Sequence, residues 1–331
     1  MYNCFSTDEA PLFGCPRRDD VDMELRCLPK FFIGGCVNCG VTDLQFRLNK
    51  HQLINFGSKK EPEFWGGKFS ARFGGAPDNL AGYTALQYGD VTRKIVQTMR
   101  DGKRHAQPLI GEMAPSIMHG MIGKWGEGGP VAPALLHHVI PNAKLIFMLR
   151  NPVERTVAMY NAIPNPPATP LKSADELQRN VETFMKWYNT CTNKRQWSPR
   201  ECLYGRANAT EKLRPTKLII HDVIHSIYHI TINEWIKAFG RANVLVLEFD
   251  DYMANRLDVI NKKVIPFLGI KPYSKGAQSF LEKTEADKTL KFETVIKTQA
   301  SDETRKTLKT FFAPFNKELS SLLNDNSFLW S

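Results

Sequence analysis

The chain has no apolar run approaching the ~20 residues of a membrane-spanning helix. Its longest apolar stretches, such as Leu145–Leu149, are strand-sized. Met1 to Asp20 lacks the apolar core of a signal peptide. Taken as it stands, the chain reads as soluble, or as a lumenal portion whose membrane link would be an anchor outside this sequence. There is no internal repeat and no low-complexity tract, so the chain can bury a substantial core. No RNP, zinc-finger or helix-turn-helix signature is present, which leaves a nucleic-acid partner without support. Cys36-x-x-Cys39 has the spacing of a redox pair, and no second pair completes a zinc site.

What the chain does have is ordinary globular composition and an excess of positive charge. Its 331 residues are 42% hydrophobic and 24% charged, enough for one large α/β domain. The net charge of +10 suits an anionic partner, whether nucleic acid, acidic polysaccharide, a phosphate-rich cofactor or a membrane surface, and suits a solvated basic surface equally well. Cys191 and Cys202 flank a polar, turn-rich stretch that suits a local disulfide in a secretory compartment, and Asn208-Ala209-Thr210 is a glycosylation sequon beside it.

Residues 1–28 carry Pro, Gly and charge without periodicity and read as an irregular arm ahead of a domain over 29–331. Phe31-Phe32-Ile33 reads as a buried strand running into Gly34-Gly35, with a helix over Thr42–Leu48. Ser58 to Gly75 reads as a basic, Gly-rich loop. Helices are predicted over Val91–Met99 and Pro133–Val139, and strands at Leu109–Glu112 and Lys144–Leu149. Pro152 falls near a helix start, where its missing N–H costs nothing. Asn161–Pro170 is a proline-rich loop. Ser173-x-x-Glu176 is a capping box, followed at helical spacing by Leu177, Val181, Phe184, Met185 and Tyr188. A single helix is predicted over about Asp222–Phe239 and a strand over Val244–Phe249. A last helix carries Leu308, Phe311, Phe312, Phe315, Leu319 and Leu322, with a kink expected at Pro314. Strands alternating with helices predict an α/β fold: a parallel central sheet flanked by helices. Ligands of such sheets bind at the carboxyl ends of strands, here from Gly34 onward and from Arg150 onward.

Gly35-Cys36-Val37-Asn38-Cys39-Gly40-Val41-Thr42 reads G-x-x-x-x-G-V-T. A nucleotide triphosphatase loop needs Lys where Val41 stands, so triphosphate hydrolysis is disfavoured. A phosphate cradle remains, made of backbone N–H groups, a helix N-terminus and the Thr42 hydroxyl. At the second strand end, Arg150 occupies the place where a triphosphatase would carry a magnesium-holding Asp, and it can fork onto phosphate. Arg155, five residues on and inside the helix, reads as a partner for a carboxylate. His221, His225 and His229 fall at i, i+4 and i+8 in the predicted helix, where a buried helix face accounts for them better than a metal site does.

Leu149-Arg-Asn-Pro-Val-Glu-Arg155 resembles the 3′-phosphate-binding segment of the Golgi carbohydrate sulfotransferases. Phe31–Leu48 resembles their 5′-phosphosulfate loop. Lys60-Glu61-Pro62-x-Phe64-Trp65 resembles the segment that carries their catalytic carboxylate. Gly111-Glu112-x-x-Pro115-Ser116-x-Met118 resembles a further strand and loop. The resemblance covers about Leu28 to the C-terminus. It implies a P-loop-like, PAPS-dependent sulfotransferase fold, PAPS as co-substrate with no metal, an acidic glycan acceptor of chondroitin or dermatan sulfate type, and residence in the Golgi lumen or secretion. It implies Glu61 as general base, with Lys60 beside the bridging oxygen. Gly35, Asn38, Cys39, Gly40, Val41 and Thr42 would hold the 5′-phosphosulfate and Arg150 the 3′-phosphate. Lys68 and Arg72 would meet the acceptor. Three positions depart from the family pattern: Asn38 replaces Lys or Arg, Val41 replaces Thr, and Ala158 replaces the 3′-phosphate serine. Two readings stay open, an active transferase and a catalytically impaired relative that binds acidic glycans.

Overall fold

The strand Phe31–Gly35 (β3) is buried along its whole length and is the middle of the molecule. The computed structural model describes residues 4–5, 26–65, 79–100, 108–119, 132–162, 172–194, 196–204, 223–286 and 298–330. Ahead of β3, Cys4–Phe5 (β1) and Arg26–Cys27 (β2) pair antiparallel, Cys4 opposite Cys27. The helix Val41–Leu48 (α1), the short strand Ile54–Phe56 (β4), the long helix Leu80–Arg100 (α2) and the strand Leu109–Met113 (β5) follow. Next come Ala132–Val139 (α3), Lys144–Leu149 (β6), Pro152–Ala162 (α4), Ala174–Asn189 (α5) and Pro199–Tyr204 (α6). The C-terminal part holds Tyr228–Phe239 (α7), Val244–Glu248 (β7), Phe249–Ala254 (α8), Lys275–Ala286 (α9) and Asp302–Leu323 (α10).

Five described strands form one parallel sheet in the order β4-β5-β3-β6-β7. Central parallel strands are covered on both faces, which is why Phe31–Ile33 and Leu145–Leu149 are continuous apolar runs. Alternate residues serve opposite sides. Phe32, Leu145 and Phe147 pack with Trp235 and Phe239 of α7, whereas Phe31, Ile33, Ile146 and Met148 pack with Leu44 and Leu48 of α1 and Tyr252 of α8. A third cluster joins α4, α5 and α10 through Val157, Phe184, Leu308 and Phe312. Cys191 and Cys202 are bonded to each other inside it.

Several elements differ from the sequence expectation. Helix α2 begins at Leu80, well before Val91, because Asn79 caps it by accepting the Gly82 N–H at 2.7 Å. The single helix expected over Asp222–Phe239 is broken. Ser226 and Ile227 close tight turns onto Val223 and Ile224, and α7 begins at Tyr228. His225 and His229 therefore do not share a helix, and the His229 ring stacks on Phe315. Strand β7 ends at Glu248, whose carboxylate accepts the Asp251 N–H at 2.7 Å and starts α8 at Phe249. The last helix is present as expected, spanning Asp302–Leu323 with Pro314 inside it. Ser173 caps α5 by accepting the Glu176 N–H, but the Glu176 side chain takes the Tyr160 hydroxyl instead of closing the box. Among the described residues, no helix is long and apolar enough to cross a membrane.

Candidate active site

Parallel strands put all their carboxyl ends on one edge, so Met113, Gly35, Leu149 and Glu248 open onto the same rim. The β3–α1 loop starts at Gly35 with φ of 139°, a conformation closed to L side chains. A Cβ there would also stand 2.5 Å from the Met148 carbonyl oxygen. Asn38 takes φ of 64° and Gly40 takes 78°, and these left-handed residues turn the chain into α1. Cys36 and Cys39 are bonded to each other across this turn, and the Cys39 N–H returns to the Cys36 carbonyl at 3.2 Å. Both cysteines of this pair are buried in the loop that they close. Helix α1 presents its N-terminus at Val41, which is buried, and Thr42, which is half-buried. In the first turn Asp43 anchors the helix. Its carboxylate accepts from Arg47 Nε at 2.9 Å and from the Tyr252 hydroxyl at 2.6 Å, with Arg256 Nε at 3.4 Å.

Arg150 follows β6 and reaches back to the loop, donating Nη1 to the Asn38 carbonyl at 3.1 Å. Its guanidinium lies 4.5 Å from the Phe249 ring centroid. Its Nε is buried without a hydrogen-bond partner. The Tyr228 hydroxyl donates to the Arg150 carbonyl at 2.9 Å. Arg155 is buried and donates Nε to the Val37 carbonyl at 3.3 Å and Nη1 to Ser226 Oγ at 2.6 Å, so it ties α4 to the loop. Asn38 Nδ2 donates to Met159 Sδ at 3.0 Å. Ala158 is fully buried.

On the other side of β3, the Glu61 N–H donates to the Met113 carbonyl at 3.1 Å, beside the Ala114 N–H that donates to Ile33. Glu61 Oε1 lies 3.5 Å from Lys60 Nζ, and both side chains face solvent in part. Gln87 of α2 holds the segment at Lys59, accepting its N–H at 3.1 Å and donating to its carbonyl at 2.8 Å. Lys60 and Glu61 thus stand at the rim of β5, next to the strand that carries the cradle. Lys68, Arg72 and Asn208 lie outside the described residues.

Sequence reasoning missed Gln87, Phe249 and Tyr228, and quoted Glu112 only as part of a strand. Glu112 is fully buried, and its Oε2 accepts from both the Tyr83 and Tyr88 hydroxyls. Burial pushes its carboxyl up to about 7, the two hydroxyl donors opposing the rise. A lone Glu inside the apolar run Leu109–Met113 was the available signal.

The loop from Gly35 to Thr42, the N-terminus of α1 and Arg150 thus meet at one rim of the sheet. The sulfotransferase domain model matches residues 132–317, and this chain belongs to that family. Carbohydrate sulfotransferase 15 of Mus musculus is 30% identical, over 92% of this chain and 55% of that protein. The Homo sapiens protein of the same name is 29% identical with the same coverage. The chain therefore spans about half the length of the curated relatives it matches. A solved sulfotransferase from Alicyclobacillus acidocaldarius superposes with a TM-score of 0.55 at 19% identity, covering 92% of this chain and 99% of that one, which shows the shared α/β fold.

Proposed function

We propose that this chain is a PAPS-dependent sulfotransferase acting on a hydroxyl of an acidic glycan of chondroitin or dermatan sulfate type, in the Golgi lumen or after secretion. The observation that carries this reading is Arg150, poised beside the left-handed turn at Asn38 with a buried, unpartnered Nε. The resemblance to N-acetylgalactosamine 4-sulfate 6-O-sulfotransferase suggests the acceptor class, and the similarity to carbohydrate sulfotransferase 15 supports a carbohydrate acceptor. The buried Cys191–Cys202 bond supports an oxidising compartment.

In this reading the amides from Cys39 to Thr42 hold the 5′-phosphosulfate, with the positive-φ glycines Gly35 and Gly40 turning the loop into place against Met148 and Phe249, while Arg150 takes the 3′-phosphate. The acceptor oxygen attacks sulfur in line, and the bond from sulfur to the 5′-phosphate oxygen breaks. PAP leaves with the electron pair. Glu61 removes the acceptor proton as general base. Lys60 offsets the charge that grows on the bridging oxygen. Lys68 and Arg72 meet the anionic acceptor.

A second reading has its own support. Asn38 carries no charge and its amide is engaged by Met159, while Ala158 is buried and offers no hydroxyl. A chain lacking those ligands would bind acidic glycan without efficient transfer. Calorimetric and thermal-shift titration with PAP decides first. A ligand at a hundred times its Kd stabilises the native state by about 2.7 kcal/mol. Saturable binding abolished by Arg150→Ala, followed by transfer of label from PAPS to a chondroitin-type acceptor, is the expected result. No binding of PAP at millimolar concentration would overturn the transferase reading, and heparin or chondroitin sulfate binding without PAP binding would establish the second.

A further inference from the structure

A buried carboxylate lies directly behind the segment assigned to proton abstraction and takes no part in the chemistry itself. Glu112 precedes Met113, whose carbonyl receives the Glu61 N–H. Its Oε2 takes two hydroxyl donors from α2, Tyr83 and Tyr88. The Tyr83 hydroxyl in turn accepts from Trp65 Nε1 at 3.2 Å, and the Phe64 ring stacks on Tyr83 at 4.2 Å. The same helix carries Gln87, which grips Lys59 by both its N–H and its carbonyl. The stretch Lys59–Trp65 is therefore held at three points: Gln87 at its start, Met113 in its middle and Tyr83 at its end. Two of those points sit on α2, and Glu112 fastens α2 to β5.

The held stretch is one that would not keep its shape alone. Glu61 and Glu63 both take positive φ, 57° and 59°, a conformation that strains a non-glycine residue and persists only where the surroundings over-determine it. Glu112 also leaves Oε1 buried without a partner, a cost that an apolar residue in the same strand would avoid. A carboxylate earns that place by what it can do and Leu cannot, which is to accept two hydroxyls at one point. Resting on the reading of Glu61 as general base, we infer that Glu112 is a positioning residue, which fixes the Lys60–Glu61 turn through Tyr83, Tyr88 and α2.

The test uses the full chain and three variants, Glu112→Leu, Glu112→Gln and Tyr88→Phe. Hydrogen exchange is followed in peptides spanning 58–65 and 36–42, alongside PAP affinity and steady-state transfer. Glu112→Leu should speed exchange in 58–65 about tenfold or more while leaving 36–42 unchanged. PAP affinity should stay within about twofold, and kcat should fall with little change in KM for the donor. Glu112→Gln, which still accepts both hydroxyls, should stay near wild type. Should Glu112→Leu fail to fold, Tyr88→Phe removes a single hydroxyl and should still speed exchange in 58–65 by about threefold. Exchange in 58–65 equal to wild type, or rising equally in 36–42, would overturn the inference. A wild-type protein with no transfer activity would sink the catalytic reading alone, because the exchange experiment still decides whether Glu112 holds the turn.

Discussion

Replacing Glu112 by Gln should change how stability depends on pH. In the folded protein the carboxyl titrates at about 7, against an ordinary value of 4.5, because burial penalises its charge more than the Tyr83 and Tyr88 hydroxyls favour it. The folded state thus holds this proton more tightly than the unfolded chain does. The stabilisation is complete below pH 4.5 and is lost as pH rises through about 7. That interval corresponds to about 3 kcal/mol at 1.36 kcal/mol per pH unit. Gln is neutral throughout, and its side-chain oxygen can still accept both hydroxyls, so the variant lacks this dependence. Urea unfolding of both proteins at pH 5, 6, 7 and 8 gives the difference in stability, and every other titrating group cancels in that difference. The difference should move in favour of Gln by roughly 2–3 kcal/mol between pH 5 and pH 8 with equal m-values. A difference that stays constant over this range would refute the reasoning, since it would mean that Glu112 is ionised across it or equally protonated in both states.

Other perturbations probe the cradle and the core. Asn38→Lys should restore a charge-assisted contact to the donor and raise PAP affinity by about tenfold to a hundredfold, read by calorimetry. Unchanged affinity would mean that this turn does not face the nucleotide. Gly35→Ala would drive a Cβ to 2.5 Å from the Met148 carbonyl in a backbone conformation that alanine avoids. It should cost at least about 2–3 kcal/mol in chemical denaturation. Removing the Cys191–Cys202 bond, which spans a sequence separation of 11, should cost about 3 kcal/mol by loop-closure entropy. Thermal unfolding of the double Ala variant checks it, and an unshifted midpoint would show that the cluster around α5 and α10 holds without the bond.

The frame of this protein is legible in its residues. Strands buried on both faces read as nearly continuous apolar runs, so Phe31–Ile33 and Leu145–Leu149 mark themselves, and the glycines after β3 mark the turn into α1. Ser173 announces α5 because a cap is a local bond between neighbours. Strand β4 was not legible, being three residues long and defined only by its pairing with β5. The first half of α2 was not legible either. Its tyrosines and glycines carry no clear period, and what holds that half in place is bonding from Tyr83, Gln87 and Tyr88 to residues up to 29 positions away.

The site divides the same way. Arg150 and the loop from Gly35 to Thr42 could be placed from strand ends and glycine spacing. That Arg150 lies over Phe249 and that Arg155 runs to Val37 and Ser226 were decided by the fold bringing β3, β6 and β7 side by side. Glu112 is the clearest case. A glutamate reads the same in sequence whether it faces water or two tyrosines, and only the packing of α2 on β5 removes it from solvent, raises its carboxyl to about 7 and sets it behind Glu61.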